Sequence, residues 1–490
     1  MKEAVSKLVS SIPDGLWRDA EAAASAVRRS PKVVVATHID ADGITAASIA
    51  KLVLERMGIS HDVRFFKKLD DAAIDSLRSN GPGLVWFTDL GSGSASKLEG
   101  LTAVISDHHV PDAGGRNDRT RAQALLSDFS GPCQVNPHLH GISGASDLSG
   151  AGATFLVAIA ADEANADLAA LAVLGSVGDL QDQKTRRLEG INRDILSLAV
   201  ASGFVEAEED IRYFGRETRP LFKMLEYSSD PFLPGITGNE QECISFLLSL
   251  GIELKEGDAW RTWAMLSSDE KSKIITTLRD HLSMRRRRQE TIDRLTGETY
   301  VLTREEPGTP VRDVKEFATL LNACGRHRRG EVGLSICVGD RGHALSEGYA
   351  LLKDHRYALR KALESAKSRG ITRMKHIQFF DAEDDIEETI VGTIAGMLLG
   401  GSGSDRTAPM VAFADSMEPS DVPMVKVSTR GTQELVARGM DLSEAMRTIA
   451  GGMGGVGGGH NIAAGATIPS DRRDEFLRLL DEMVGSQLSR

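Results

Sequence analysis

Along the first 200 positions, short β-branched runs alternate with small-residue stretches of helical period. The apolar runs Val33–Thr37, Val63–Phe66, Leu84–Thr88 and Ala103–Ser106 read as strands. The spacing predicts helices over Gly43–Met57, Leu69–Ser79, Gly150–Ala161 and Leu168–Gly175. Strands that alternate with helices form a mostly parallel sheet. Polar residues recur where the strands end: His38, Asp40 and Asp42, then Asp89, then Asp107, His108 and His109. In an open parallel sheet that carboxyl edge is where ligands bind.

The pattern changes near residue 200. From 201 to 305 it is charged and helix-rich with few strand runs, as expected of an inserted accessory or partner-binding module. "EYSSDPFLPGITGNE" reads as an irregular connection, and 267–295 as one or two helices. The acidic "EAEED" (206–210) reads as solvated surface. Residues 306–370 complete the first domain and end in a long amphipathic helix, 344–370, capped by Gly370. A second α/β segment, 371–490, has strands near His376–Phe380, Pro409–Phe413 and Pro423–Ser428. It also carries a glycine-rich run, 451–459, before the strand-like "IAAGATIP". Such glycine content is common in flexible linkers, yet successive N–H groups can also form an anion nest.

Composition narrows the class. With 490 residues the chain needs more than one core. No window approaches the ~18 uninterrupted apolar residues of a membrane span, and the N-terminus lacks a signal peptide's apolar stretch, so cytoplasmic residence is expected. The four cysteines are scattered, without a CxxC pair, which speaks for reduced thiols. A net charge of −12 argues against a nonspecific nucleic-acid coat. Local basic clusters at 285–288 and 326–329 still leave room for a phosphate track.

Chemistry concentrates at the strand ends. His38, Asp40, Asp42, Asp89, His108 and Asp179 supply four carboxylates and two imidazoles. Any one of these Asp residues could be a helix cap or turn residue. Six such groups at successive strand ends are different, because clustered carboxylates without a cation are strongly destabilised. Mixed nitrogen and oxygen ligands suit Mn²⁺ best, with Mg²⁺ or Co²⁺ as alternatives. Two such ions, about 3.5–4 Å apart, would activate a water and clamp a phosphoryl group. His109, beside His108, is placed to face an anion. Arg430 follows a strand in "KVSTRGT", the right chemistry for gripping a phosphate, and His460 and Asn461 end the glycine run.

Taken in order, "THIDADG", "FTDLGSG", "SDHHVP" and "VGDLQD", then "GGGHNIAAGA", resemble the motifs of the DHH phosphoesterase superfamily. "VNPHLHGISGASDLSGAGATF" and "LLNACGRHRRGEVGL" are similar to segments of its RecJ-type nucleases, and His38 with the inserted middle resembles the archaeal GINS-associated branch. The resemblance implies an α/β fold: an N-terminal parallel-sheet DHH domain, a helical insertion, and a smaller DHH-associated domain after a long helix. It implies that His38 and Asp40 hold one cation, that Asp42, His108 and Asp179 hold the other, and that Asp89 bridges. His109 would face the scissile phosphate, with Asp107 orienting a histidine. Asn322, Arg326, Arg430, Gly458, Gly459, His460 and Asn461 would contact substrate. The implied activity is a two-metal exonuclease on single-stranded DNA or RNA that releases nucleoside 5′-monophosphates. Two alternatives stand beside it. One is a phosphodiesterase on short oligonucleotides or small phosphate substrates. The other is a replisome scaffold that binds GINS through 201–305.

Overall fold

The computed structural model describes residues 2–79, 81, 83–112, 133–228, 230–400, 405–416, 420 and 422–489. Its internal contacts divide it into two compact units, Met1–Leu352 and Lys353–Arg490, and the division falls inside the long helix His343–Arg369.

The first unit is built on five parallel strands: β1 (Lys32–His38), β2 (Ser60–Phe66), β3 (Leu84–Thr88), β4 (Ala103–Ser106) and β5 (Cys133–Val135). Their order is β2-β1-β3-β4-β5. Side chains alternate across the sheet. Val33 and Val35 enter one core with the helices Asp14–Arg29, Ala41–Arg56 and Gly150–Ala161, while Val34 and Ala36 meet Ile74, Leu77, Phe87 and Ile105 on the other face. Burial on both faces explains why β1, β3 and β4 read as continuous apolar runs. Trp86 and Phe87 are fully buried, each contributing about 1.5–3 kcal/mol. Because β2 lies on one side of β1 and β3 on the other, the strand order reverses at the β1/β3 boundary. That is the switch point at which such sheets open a crevice.

The middle of this unit departs from the pattern read in the sequence. "EAEED" belongs to β6 (Val205–Ile211), which pairs antiparallel along its length with β9 (Thr296–Leu302); Glu206 to Glu209 are exposed, as read, and Asp210 is not. Asp210 is buried there against Arg216. Between these strands lie a two-residue hairpin, β7 (Lys255–Glu256) with β8 (Ala259–Trp260), and helices that share a core of their own around Trp263, Leu278 and Leu247. Arg285 to Arg288 join two of these helices, Ser268–Met284 and Gln289–Asp293, and are exposed.

The second unit holds a six-stranded sheet. Its strands are β10 (Thr372–Arg373), β11 (Gln378–Asp381), β12 (Met410–Asp415), β13 (Met424–Arg430), β14 (Val456–Gly459) and β15 (Ala463–Pro469). The order is β10-β11-β12-β13-β15-β14, antiparallel except for β11 with β12. One face packs on the helices Leu442–Gly451 and Arg473–Leu488, the other on Val391–Gly400. The glycine-rich run is therefore no linker: Val456–Gly459 is an edge strand. Among the described residues no helix is long and apolar enough to cross a membrane.

Candidate metal centre

All six acidic and imidazole residues singled out at the strand ends converge at the β1/β3 switch point. His38 closes β1, and Asp40 caps the helix Ala41–Arg56, its Oδ1 accepting from Gly43 N at 3.0 Å. The turn between them is tight. A β-carbon on Gly43 would sit 2.3 Å from the His38 carbonyl oxygen, so only glycine fits there. The other Asp40 oxygen lies 2.9 Å from His38 Nδ1. One turn on, Asp42 is buried, and its two oxygens accept from Gly150 N (2.7 Å) and Ala151 N (3.0 Å). The carboxylate thus sits at the N-terminus of the helix Gly150–Ala161, whose dipole favours negative charge.

Asp89 is the centre of the arrangement. It follows β3 with φ 57°, a left-handed conformation that Asp tolerates better than most residues. Its Oδ1 lies 3.3 Å from His108 Nε2 and its Oδ2 3.7 Å from His38 Nδ1. It is 1% exposed, and neither oxygen has a donor in hydrogen-bonding geometry among the described residues. Gly150 packs directly on it: a β-carbon there would come within 2.4 Å of Asp89 Oδ1.

His108 faces the same point. Its Nδ1 donates to Gly144 O at 2.6 Å, which leaves the lone pair on Nε2, toward Asp89 and Asp42 (3.8 Å). Asp179 follows the helix Ala169–Gly178 and approaches His108 Nδ1 at 3.7 Å. Gln181 Nε2 donates both to Asp179 (2.9 Å) and to Gly144 O (2.9 Å) and fixes that side. Ligating atoms of His38, Asp40 and Asp89 lie within 4.8 Å of one another, and so do those of Asp42, His108 and Asp179.

The electrostatics are those of an acidic cluster short of cations. Burial, with the neighbouring Asp89 charge, pushes Asp42 well above the usual carboxylate range, and burial raises Asp179 as well. Burial alone would lower His38 and His108, but the surrounding carboxylates outweigh it and raise both. Divalent cations would relieve this strain, and the orphaned Asp89 oxygens, the lone pair on His108 Nε2 and the oxygen-rich donor set fit hard or borderline cations.

Asp107 stands apart from this set. It is fully buried, and its oxygens are taken by Ser92 N (2.9 Å), His108 N (2.8 Å), His109 N (3.2 Å) and His109 Nδ1 (2.8 Å). It therefore orients His109, whose half-exposed ring is raised to about 9: burial opposes the shift and Asp107 prevails. His109 is an imidazolium at neutral pH. Asn322 Oδ1 accepts from Ala41 N at 3.0 Å and so steadies the turn after β1. Arg326 ends the helix Val314–Arg326; burial lowers it while Asp40 acts in the opposite sense, which places it beside Asp40.

The other candidates lie in the second unit. Arg430 ends β13 opposite Ala463, the first residue of β15, and its guanidinium lies over Gly392. Gly458 and Gly459 end β14, and His460 N donates to Ala463 O (2.8 Å) to close the β14–β15 turn. Arg430, the two glycines, His460 and Asn461 thus share one end of that sheet.

Three supporting residues, Gln181, Asn136 and Ser149, lie in the quoted segments but were given no role there. Asn136 Nδ2 donates to Ser92 Oγ (2.8 Å) and to His109 O (2.9 Å), tying the β3 and β4 loops together. Ser149 caps the helix Gly150–Ala161 by accepting from Gly152 N at 3.1 Å. A serine directly before a small-residue helix was the available signal.

With this geometry in place, comparison with known proteins is informative. The DHH-CID domain matches residues 213–296 and the DHHA1 domain matches 374–486. The chain carries domains of the DHH superfamily. Its α/β architecture is consistent with DHH and DHHA1 organisation. An uncharacterized protein of Methanocaldococcus jannaschii is 28% identical over 462 residues, 93% of this chain and 94% of that protein. The single-stranded-DNA-specific exonuclease RecJ of Escherichia coli is 25% identical over 195 residues, 34% of this chain and 32% of that protein. Among solved structures, RecJ from Thermus thermophilus in complex with Mn²⁺ matches with a TM-score of 0.57 at 16% identity, covering 97% of this chain and 55% of that one. CDC45 from Entamoeba histolytica matches with a TM-score of 0.62 at 10% identity, covering 96% and 99%. The chain spans about half the length of the Thermus RecJ.

Proposed function

We propose that the protein is a divalent-cation-dependent exonuclease that hydrolyses single-stranded DNA or RNA to nucleoside 5′-monophosphates. The observation that carries this reading is Asp89: a buried carboxylate without a donor, between a His38–Asp40 pair and an Asp42–His108–Asp179 set. His38 and Asp40 would hold one cation, Asp42, His108 and Asp179 the second, and Asp89 both. Mn²⁺ suits the donors best, and Mg²⁺ or Co²⁺ also fit. When bound, such a pair supplies an activated water and neutralises charge on the phosphoryl group.

The chain's own residues do the rest. His109, kept protonated and aimed by Asp107, pairs with a phosphate oxygen. Arg326 adds positive charge on the Asp40 side. In the second unit Arg430, Gly458, Gly459, His460 and Asn461 would bind a phosphate or nucleotide through a guanidinium and exposed backbone. Replication or repair in the cytoplasm is the setting this activity suits. The partial similarity to a RecJ named for single-stranded DNA supports the substrate class.

The test is Asp89→Ala with end-labelled single strands in Mn²⁺. Loss of at least 10³-fold in kcat is expected. Persistence of the activity would reject the site. A dinucleotide run in parallel decides between a strand exonuclease and a short-oligonucleotide phosphodiesterase by which is cleaved faster.

A scaffold role is the second reading, favoured by the separate core of the inserted module and by the CDC45 likeness in fold. In it, 201–305 would dock a replisome protein such as GINS. It need not exclude catalysis, since the acidic and imidazole set is complete.

A further inference from the structure

Three exposed side chains adjoin residues of the candidate site. Val110 directly follows His109 and is 71% exposed; Leu180 lies between Asp179 and Gln181 and is 61% exposed. His138 is exposed as well. Single exposed apolar residues need no explanation on a protein surface. These are different because the backbone holds each one rigidly outward.

Leu180 has φ 60°, a conformation that costs a leucine energy, and its neighbours on both sides are tied into the site through the Gln181–Asp179 and Gln181–Gly144 hydrogen bonds. Val110 is bracketed by His109, anchored on Asp107, and by Asp112, whose N donates to Ser92 O at 3.0 Å. Asn136 joins the last two positions. Its Nδ2 donates to His109 O, and its Oδ1 accepts from His138 N at 2.9 Å. His138 also packs on the loop that holds His108. A β-carbon on Gly144 would meet both the His108 carbonyl oxygen (2.0 Å) and His138 Nε2 (2.6 Å). The backbone segments that carry the three side chains are therefore tied together through Gly144 and Asn136.

We infer that Val110, His138 and Leu180 form a base-binding rim that receives the nucleobase attached to the phosphate at the cation site. This rests on the nuclease reading above and sharpens it. An imidazole offers a flat face for stacking, and the two aliphatic chains grip a base edge without reading its hydrogen-bonding groups. A base stacked there has left its duplex partner. The rim thus selects unpaired ends, and it does so with little base preference, because every base has a π-face.

The experiment compares end-labelled single strands, in Mn²⁺, that carry a normal or an abasic residue at the end being cleaved. Wild type should prefer the normal end by about tenfold in kcat/KM, the scale of one stacking contact. His138→Ala and Leu180→Ser should each shrink that ratio severalfold, Val110→Ser less, and the triple variant should bring it close to one. His138→Phe should restore it, which a merely structural role for the histidine would not produce. Thermal midpoints equal to wild type exclude unfolding as the cause. An unchanged normal-to-abasic ratio in folded His138→Ala and Leu180→Ser would overturn the rim. If wild type degrades neither strand, the nuclease reading falls first and the rim with it.

Discussion

Around Asp89, four carboxylates and two imidazoles gather, with Asp42, Asp89 and His108 buried and His38, Asp40 and Asp179 partly exposed; no lysine or arginine pairs with Asp89 itself, and both its oxygens lack a donor among the described residues. Around Arg216, in the same unit, the balance is the reverse. Its guanidinium, 5% exposed, meets Asp313 at 3.1 Å, Glu208 at 2.9 Å and Asp210 at 3.0 Å. Asp210 is further held by Trp263 Nε1 at 2.9 Å and Lys271 at 3.2 Å. The same acidic residue type is thus frustrated in one place and satisfied in the other. Burial works against the charge on Arg216, yet the carboxylates outweigh it and raise its pKa; at Asp42, burial and Asp89 act together and push the carboxyl toward neutrality. A cluster that contains its own cations is a structural joint. One that lacks them offers the donor set that cations from solution would complete.

Removing one charge from each cluster should therefore have opposite consequences. Arg216→Met strands Asp210 and Asp313 in the interior, and breaking a buried pair in this way costs about 3–5 kcal/mol. Asp89→Asn, measured without divalent cation, removes repulsion and should be neutral or stabilising. Urea midpoints of the two variants in a chelating buffer check this. Equal destabilisation by both would erase the distinction. Divalent cation should then act on one cluster alone. Mn²⁺ at a hundred times its Kd should stabilise wild type by about 2.7 kcal/mol, and Asp89→Asn should abolish the gain. A cation effect that survives in Asp89→Asn would place the binding elsewhere.

The two clusters were unequally legible in the sequence. The cation site could be read because a parallel sheet gathers its ligands at one edge. An apolar run ending in His38, another ending in Asp89 and a third before Asp107 are local signals that topology alone brings together. The strands β1, β3 and β4 were visible for the same reason, their runs being buried on both faces, whereas the edge strand β2 is only partly buried. The Arg216 cluster was opaque. "EAEED" looks solvated because nothing local shows that Asp210 turns inward or that β9, some 90 residues away, supplies the partner strand. Arg216, Lys271 and Asp313 are scattered along the chain with no periodicity to join them. The glycine run misled in a related way: with no side chains to alternate, β14 shows no strand pattern, and its pairing with β15 is set by backbone alone. Gln181 escaped because its role depends on a carbonyl, that of Gly144, which no sequence displays.

The edge of the Arg216 cluster offers the finest probe of the comparison, because one of its acids is frustrated too. Glu316 is fully buried in the helix Val314–Arg326, where it accepts hydrogen bonds from Glu217 N at 2.8 Å and from Thr218 Oγ1. Burial, with Asp313 adding to it, raises its pKa from 4.5 to about 7. Below about pH 4.5 the carboxyl is protonated in both folded and unfolded chains, and its contribution is fully present. Between there and about pH 7 the folded state keeps a proton that the unfolded state releases, so stability falls as pH rises through this window and levels off above it. The loss across the whole window is roughly 3 kcal/mol. Glu316→Gln has no proton to lose, and the fall in urea stability between pH 5 and pH 7 should shrink by most of that amount. A slope unchanged in Glu316→Gln would mean that the carboxyl is ionised in the folded protein and paired as well as its neighbours, and Glu316 would then belong with the satisfied acids around Arg216.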